Sequence, residues 1–365
     1  MWRSRGRYCA RRDSLMRDLK IRIAKAAGLL LPGLVTAASG VWGVLALAYS
    51  GPQNDIARFG VAAVFAVAAL AALIALGFRH WRWRAFAAYL ALFTLLLAWY
   101  FTLKPSNQRD WQTDVALLPY ATIEDNWVTV HNIRNFDYRS ETDYTPAWYD
   151  KRFDLNKLES VDLVAVYWMG PDIAHVLQSF AFSDGSHLAI SIEARKEKGE
   201  AYSTSKGFFR QYELFYVVAD ERDVIRLRTN YRHDPPEDVF VYRMNGPIEN
   251  ARRLFLEYMI KMNELAESPV FYNTLTTNCT TNIWLNSRVN PEHLPFSWEV
   301  LASGHFPAFL HEHGRLASGG LPFSELQQRV HINTRAHAAD RAEDFSRRIR
   351  ALPDTTLPVA PQSTQ

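Results

Sequence analysis

Three charge-free apolar runs dominate the first third of the chain. They cover Ala26–Asn54, Phe59–Phe78 and Ala85–Leu103, with 29, 20 and 19 residues. A helix needs about 20 apolar residues to cross the hydrocarbon of a bilayer. The first run turns polar at its end, so its span is set at about residues 26–49. The pattern predicts three transmembrane helices within 26–103. A cleaved signal peptide fits less well, because its apolar core is only ~7–15 residues and no further spans follow it.

Beyond Leu103 the pattern changes to short alternating runs. Trp127–His131 alternates like a strand, and Leu158–Trp168 reads as another, stopped by Gly170-Pro171. Next, His175–Phe182 leads into Ser183-Asp184-Gly185, and Ser186–Ala194 leads away. Asp-Gly between two strand-prone runs marks a β-hairpin. Leu188, Ile190 and Ile192 should face one side of the return strand; His187, Ala189, Ser191 and Glu193 should face the other. Tyr212–Ala219, Asp223–Thr229 and Asp238–Met244 also read as strands, with Asp143–Tyr149 as loop. Ile248–Glu267 carries Leu254, Phe255, Tyr258, Met259, Met262 and Leu265 at helical spacing and should be a helix ended by Pro269. The mixture predicts an α+β soluble domain over 104–350. Residues 351–365 are rich in Pro, Thr and Gln and read as a disordered tail.

Charge sets the topology. Residues 1–25 hold nine Lys or Arg against two Asp. The first loop has Arg58 beside Asp55, whereas the second, Arg79–Arg84, has three Arg. Positive loops stay in the cytoplasm, which predicts in, out, in, out. The basic N-terminus is then cytoplasmic and the 104–350 domain is periplasmic, in an inner membrane. The formal net charge of +3 gives no argument for nucleic acid. Arg195, Lys196, Lys198, Lys206, Arg210, Arg226 and Arg228 read as a solvated face, or as one that meets anionic headgroups.

The chain has two cysteines, Cys9 and Cys279. This topology puts them on opposite sides of the membrane, so they cannot pair. A lone thiol in an oxidising compartment calls for a reason. Cys279 lies in Asn273-Thr-Leu-Thr-Thr-Asn-Cys-Thr-Thr-Asn-Ile-Trp284. Thr277 or Asn278 suits an N-cap, which puts Cys279 in a first helical turn where free amides and the dipole favour a thiolate. A cysteine nucleophile needs a base held by a third group. His175, on the hairpin, is the candidate base. Glu193 is the candidate orienter, with His187 and His131 as alternatives. A two-residue turn would place His175 opposite Ala194, whereas one extra turn residue would place it opposite Glu193. Asn278 or the Cys279 amide could supply an oxyanion donor. His305, His311 and His313 lack the cysteine or spaced carboxylate that would complete a metal site, and nothing in the sequence calls for a cofactor.

The stretch His175–Arg195 resembles the Lnb N-terminal periplasmic domain family, together with Phe209-Arg-Gln-Tyr-Glu-Leu214, Thr277-Asn-Cys-Thr-Thr-Asn282 and Asn132-Ile-Arg-Asn-Phe-Asp-Tyr-Arg139. The resemblance extends over about 110–345. It implies transfer of a fatty acyl group to the amino group of a lipoprotein. The order of histidine hairpin and Asn-Cys helix is also similar to circularly permuted papain-like enzymes of the lecithin:retinol acyltransferase group. That likeness implies Cys279 as nucleophile, His175 as base and a phospholipid as acyl donor, with the lipoprotein of the first resemblance as the other substrate. Two other readings stand beside it. One is a cysteine hydrolase of peptidoglycan peptide or lipid. The other is a non-catalytic envelope protein that binds lipid or a partner.

Overall fold

The computed structural model describes residues 28, 30–52 and 54–351. Cys9, with the whole basic N-terminus of residues 1–25, and nearly all of the tail lie outside the described residues. The chain divides into two compact units, 1–104 with 209–211, and 105–208 with 212 onward.

The first unit has three helices long and apolar enough to cross a membrane: α1 (Leu30–Ser50), α2 (Asp55–Leu76) and α3 (Arg82–Thr102). Asn54 caps α2 by accepting a bond from the Ala57 amide at 3.0 Å. Leu47, Phe65, Ala69, Tyr89 and Leu96 pack together between the helices. Ile56, Val64, Val67 and Leu95 stand exposed, as lipid-facing positions do.

The second unit is an α+β domain built on an eight-stranded sheet. Its strands are β1 (Tyr120–Glu124), β2 (Trp127–Arg134), β5 (Trp148–Asp154), β6 (Leu158–Tyr167), β7 (Ala174–Phe182), β8 (His187–Arg195), β9 (Glu213–Ala219) and β10 (Asp238–Arg243). A short ribbon of β3 (Asp137–Tyr138) and β4 (Tyr144–Thr145) stands apart. The order is β1-β2-β9-β8-β7-β6-β10, with β5 also on β2. From β9 to β10 every pairing is antiparallel; β2 meets β9 in parallel, at Arg134 opposite Ala219.

Helices cover both faces. α5 (Ile248–Glu267), α6 (Cys279–Ser287) and α7 (Phe306–Glu312) pack on the face of Leu163, Val176, Phe180, Leu188, Ile190 and Ile192. α4 (Glu221–Arg226), α9 (Asn333–Ala338) and α10 (Phe345–Arg350) pack on the face of Val164, Leu177, Ala189 and Val217. α8 (Phe323–Val330) lies against β10. Covering both faces buries every residue of β7, as expected of a strand between two helical layers.

Three local readings change. Asp223–Thr229 is not a strand: Glu221–Arg226 is α4 and Leu227–Tyr231 is a π-helical turn. The β-branched Val224 and Ile225 gave the strand-like pattern. The Asp220 side chain overrides it by accepting a bond from the Arg222 amide and starting a helix. The segment 143–149 is not all loop, since β4 and the start of β5 lie in it. The supposed solvated cations are also partly interior. Arg195, Arg226 and Arg228 are 1%, 6% and 5% exposed. Arg195 lies against the rings of Trp111 and Phe215 and donates to the carbonyls of Val115 and Ala116.

The motif Asn132–Arg139 serves the fold. Buried Arg134 grips Asp223 with Nε at 3.0 and 3.1 Å and Nη2 at 2.7 Å. The Phe136 amide donates to the same carboxylate at 2.7 Å. This ties β2 to α4. The charges are dehydrated on both sides, so removing one partner strands the other. Asp223→Ala should therefore lower the unfolding free energy by about 3–5 kcal/mol. Denaturant midpoints of the purified protein check this, and a loss under about 1 kcal/mol would mean that Arg134 finds water instead.

Candidate active site

The site forms where the starts of β7 and α6 meet the end of β8. Asn278 is the cap of α6: its Oδ1 accepts from the Thr281 amide at 2.8 Å and its Nδ2 donates to the Thr274 carbonyl at 2.8 Å. Cys279 is thus the first residue of a nine-residue helix. The loop before it is fixed as well. Asn273 Oδ1 accepts from the amides of Leu275 and Thr276. The Thr274 amide donates to the Gly207 carbonyl at 3.0 Å. Gly207 is required there, because a Cβ would collide with Thr274 Oγ1. The Asn278 side chain is thus engaged by the cap through Oδ1 and by the loop through Nδ2.

The hairpin sets the other half. Phe182 N donates to Ser186 O and Gly185 N to Phe182 O, each at 2.9 Å, around the three-residue turn Ser183-Asp184-Gly185. Gly185 adopts φ +82°, the left-handed conformation that closes such a loop. The extra residue sets Ala181 opposite His187 and Leu177 opposite Ser191. Continued two rungs, this register sets His175 opposite Glu193, not Ala194. His175 Nε2 lies 2.7 Å from Ser191 Oγ and 3.1 Å from Glu193 Oε1. Ser191 Oγ donates to the same Glu193 oxygen at 2.7 Å. The serine proton is thereby used, so it accepts from Nε2–H, and Nδ1 is left for the thiol. Cys279 Sγ is 3.7 Å from Thr280 Oγ1 and lies close enough to His175 and the Val176 amide for both to lower its pKa.

The charges extend further inward. Arg228 Nη2 donates to Glu193 Oε1 at 3.1 Å, and Arg228 Nη1 lies 3.3 Å from Glu237 Oε2. Arg232 Nη1 reaches Glu237 Oε1 at 2.9 Å. Buried Tyr272 bonds to Tyr202 at 3.3 Å; burial first, then the nearby Cys279 charge, pushes its phenol up. Ser191 was legible as the same-face neighbour two residues before Glu193. Arg228 was not, because its segment reads as a strand.

Electrostatics follow from this order. Burial disfavours the His175 cation, but the Glu193 carboxylate and the Cys279 sulfur outweigh it, against an opposing push from Arg228. Its pKa is raised from 6.5 to about 9. Burial alone would raise Cys279; the His175 charge and the hydrogen bonds to sulfur reverse this and lower it. Burial also works against Glu193, yet His175 and Arg228 hold it well below the usual carboxylate range. These shifts favour a protonated imidazole beside a thiol more acidic than an ordinary one, with a carboxylate behind them, an arrangement suited to nucleophilic attack.

The other histidines lie elsewhere. His187 Nδ1 is 3.1 Å from Gly185 O at the far end of β8, and His131 Nδ1 is 2.7 Å from Asp150 Oδ2 on β5. His305 meets Asp172, His311 the Leu321 carbonyl and His313 the Phe309 carbonyl.

The pair predicts a pH profile. Glu193 stabilises the imidazolium, and the imidazolium stabilises the thiolate. In a Cys9→Ser background, alkylation of Cys279 by iodoacetamide should proceed below the ordinary thiol range of about 8.5. Glu193→Gln should move the inflection up by on the order of one unit and slow the reaction at pH 7 about tenfold. The stability that comes from raising His175 is complete below 6.5 and is lost as pH rises through about 9. An unchanged alkylation profile in Glu193→Gln would show that the carboxylate does not govern the thiol.

No curated protein and no solved structure matches this sequence. A family of protein domains does, over a narrower range than the 110–345 suggested by the motifs, and the Asn132–Arg139 motif falls outside it. That range contains His175, Ser191, Glu193, Arg228 and Cys279. Beside three helices apolar enough to cross a membrane, residues 144–304 match the Lnb N-terminal periplasmic domain, the family that the hairpin and Asn-Cys motifs resemble.

Proposed function

We propose that this protein is a membrane-anchored thiol acyltransferase, with Cys279 as nucleophile, His175 as acid and base, and Glu193 as the group that holds the imidazole. The observation that carries the reading is the partly buried succession of Cys279, at the start of a helix, then His175, then Glu193, with the charge of each acting on the next. The Cys279 thiolate attacks the carbonyl carbon of a phospholipid ester. Amides of the first turn of α6 stabilise the oxyanion. His175 gives its proton to the departing alkoxide oxygen as the ester C–O bond breaks, leaving an acyl thioester and a neutral imidazole. An amine, such as the N-terminus of a lipoprotein, then attacks the thioester. His175 takes the amine proton, and the C–S bond breaks to restore the ion pair. Met169, Ile173 and Leu275, exposed on the loops before His175 and Cys279, support a lipid substrate over a polar peptide.

In this reading the N-terminus is cytoplasmic and the domain is periplasmic, at the inner membrane of a bacterium. The Lys and Arg asymmetry supports that orientation. A phosphatase active only outside the cytoplasm, fused after Leu103, should be active; silence there, with a cytoplasmic reporter bright, would reverse it.

Incubating the full chain with phospholipid vesicles should add one acyl mass, located on the Cys279 peptide. Cys279→Ser and His175→Ala should lose it, with turnover falling by a factor of about 100 or more. The melting of Cys279→Ser should shift little, because a serine at a helix start keeps the size, whereas His175→Ala should also lose the stability that comes from its pairing with Glu193. A Cys279→Ser protein that keeps its activity but melts several degrees lower would assign the cysteine to packing.

A further inference from the structure

A second feature of the domain lies behind the thiol helix. A cavity of about 290 Å³ opens between α5, α6, α7 and the sheet, near the small end of ligand-pocket sizes. Its walls are apolar, with Leu163, Leu254, Ile283, Phe306, Phe309 and Leu310 among them. Neither Cys279, His175 nor Glu193 lines it. Its polar lining includes Asn245, Asn290, His293 and Arg315.

One wall residue does not fit an empty apolar space. Gln178 sits in the middle of β7, between Leu163 on β6 and Ile190 on β8. It is 2% exposed and lines the cavity, and its Oε1 has no hydrogen-bond partner. A buried amide oxygen without a partner costs about 1–3 kcal/mol, and a leucine of similar length would avoid that cost. The oxygen is an acceptor, so one small donor group of a ligand, such as a hydroxyl, would satisfy it.

We propose that this cavity binds a bilayer lipid through one aliphatic chain that carries a single hydrogen-bonding group, which meets Gln178. The apolar walls take the chain. The chain carries three helices long and apolar enough to cross a membrane, which makes a bilayer the source of such a molecule. The inference does not rest on the acyl-transfer reading, because the site is separate from the thiol. It predicts a lipid held by the domain whether or not Cys279 reacts.

The test uses the full chain in nanodiscs, in a Cys279→Ser background. Two photoreactive probes are compared: a ten-carbon alcohol with a diazirine at the chain end, and the matching alkane without the hydroxyl. Peptide mass mapping should place label on segments that hold Leu254, Ile283 or Phe309. The alcohol should label these about fivefold or more above the alkane, as one satisfied buried amide implies. Gln178→Leu should erase that difference yet keep alkane labelling. Ala251→Phe, which narrows the cavity, should reduce both. Because Gln178→Leu removes an orphaned amide, it should fold at least as well as the parent. Label confined to α1–α3, an unchanged ratio in Gln178→Leu, or full labelling in folded Ala251→Phe would each overturn the proposal. Loss of acyl transfer in Cys279→Ser bears only on the thiol reading.

Discussion

The site depends on one constraint, the register between β7 and β8. The turn contains three residues rather than two, and Gly185 at φ +82° makes that possible. With the pairing sum so set, His175 lies opposite Glu193 and Ser191 falls on the same face. A shift of one residue would turn every side chain of β8 to the other face. It would replace Glu193 by Ala194 across from His175 and put Leu188, Ile190 and Ile192 against the wrong helical layer. The hydrophobic face and the polar cluster are therefore selected by the same register. Folding of the core and assembly of the cluster are one event.

What the sequence revealed follows from the range of the forces involved. α5 spans the predicted Ile248–Glu267, because its apolar stripe is strong and local. The hairpin and the start of α6 were legible for the same reason: Asp-Gly, and Asn278 before Cys279, act within a few residues. The three apolar spans needed only composition and length. The turn length was not legible, because Asp-Gly fits both two- and three-residue loops. Asp223–Thr229 was misread because Val224 and Ile225 favour strands, while the Asp220 cap and the Arg134–Asp223 pairing from β2 favour a helix. Half of that decision lies almost ninety residues away.

The same misreading hid the deepest part of the cluster. Read as a strand, Arg226 and Arg228 join the surface cations; folded as a helix, they turn inward. Arg195 went the same way, enclosed by Trp111, Phe215 and carbonyl oxygens. A guanidinium stacks on rings and forks onto oxygens, so it can be buried where an ammonium would remain hydrated. The lysines in that group do not share this behaviour: Lys198 pairs with Asp110 at the surface. Burial of the arginines is thus a tertiary effect with no local signature.

Arg228 also resolves a conflict within the cluster. Glu193 alone beside His175 would hold the imidazolium strongly. That would favour the thiolate but make the proton hard to give to a leaving group. Arg228, on the same carboxylate oxygen, pulls His175 back down. Its own charge is shared with Glu237, which Arg232 balances in turn. From sulfur inward the signs alternate: Cys279, His175, Glu193, Arg228, Glu237, Arg232. Each charge has an opposite neighbour, so the buried members of the run, His175, Arg228 and Glu237, sit without an unpaired ion, which would cost several kcal/mol. In the acyl-transfer reading, this arrangement favours a thiolate beside a protonated base and also keeps the base able to let its proton go.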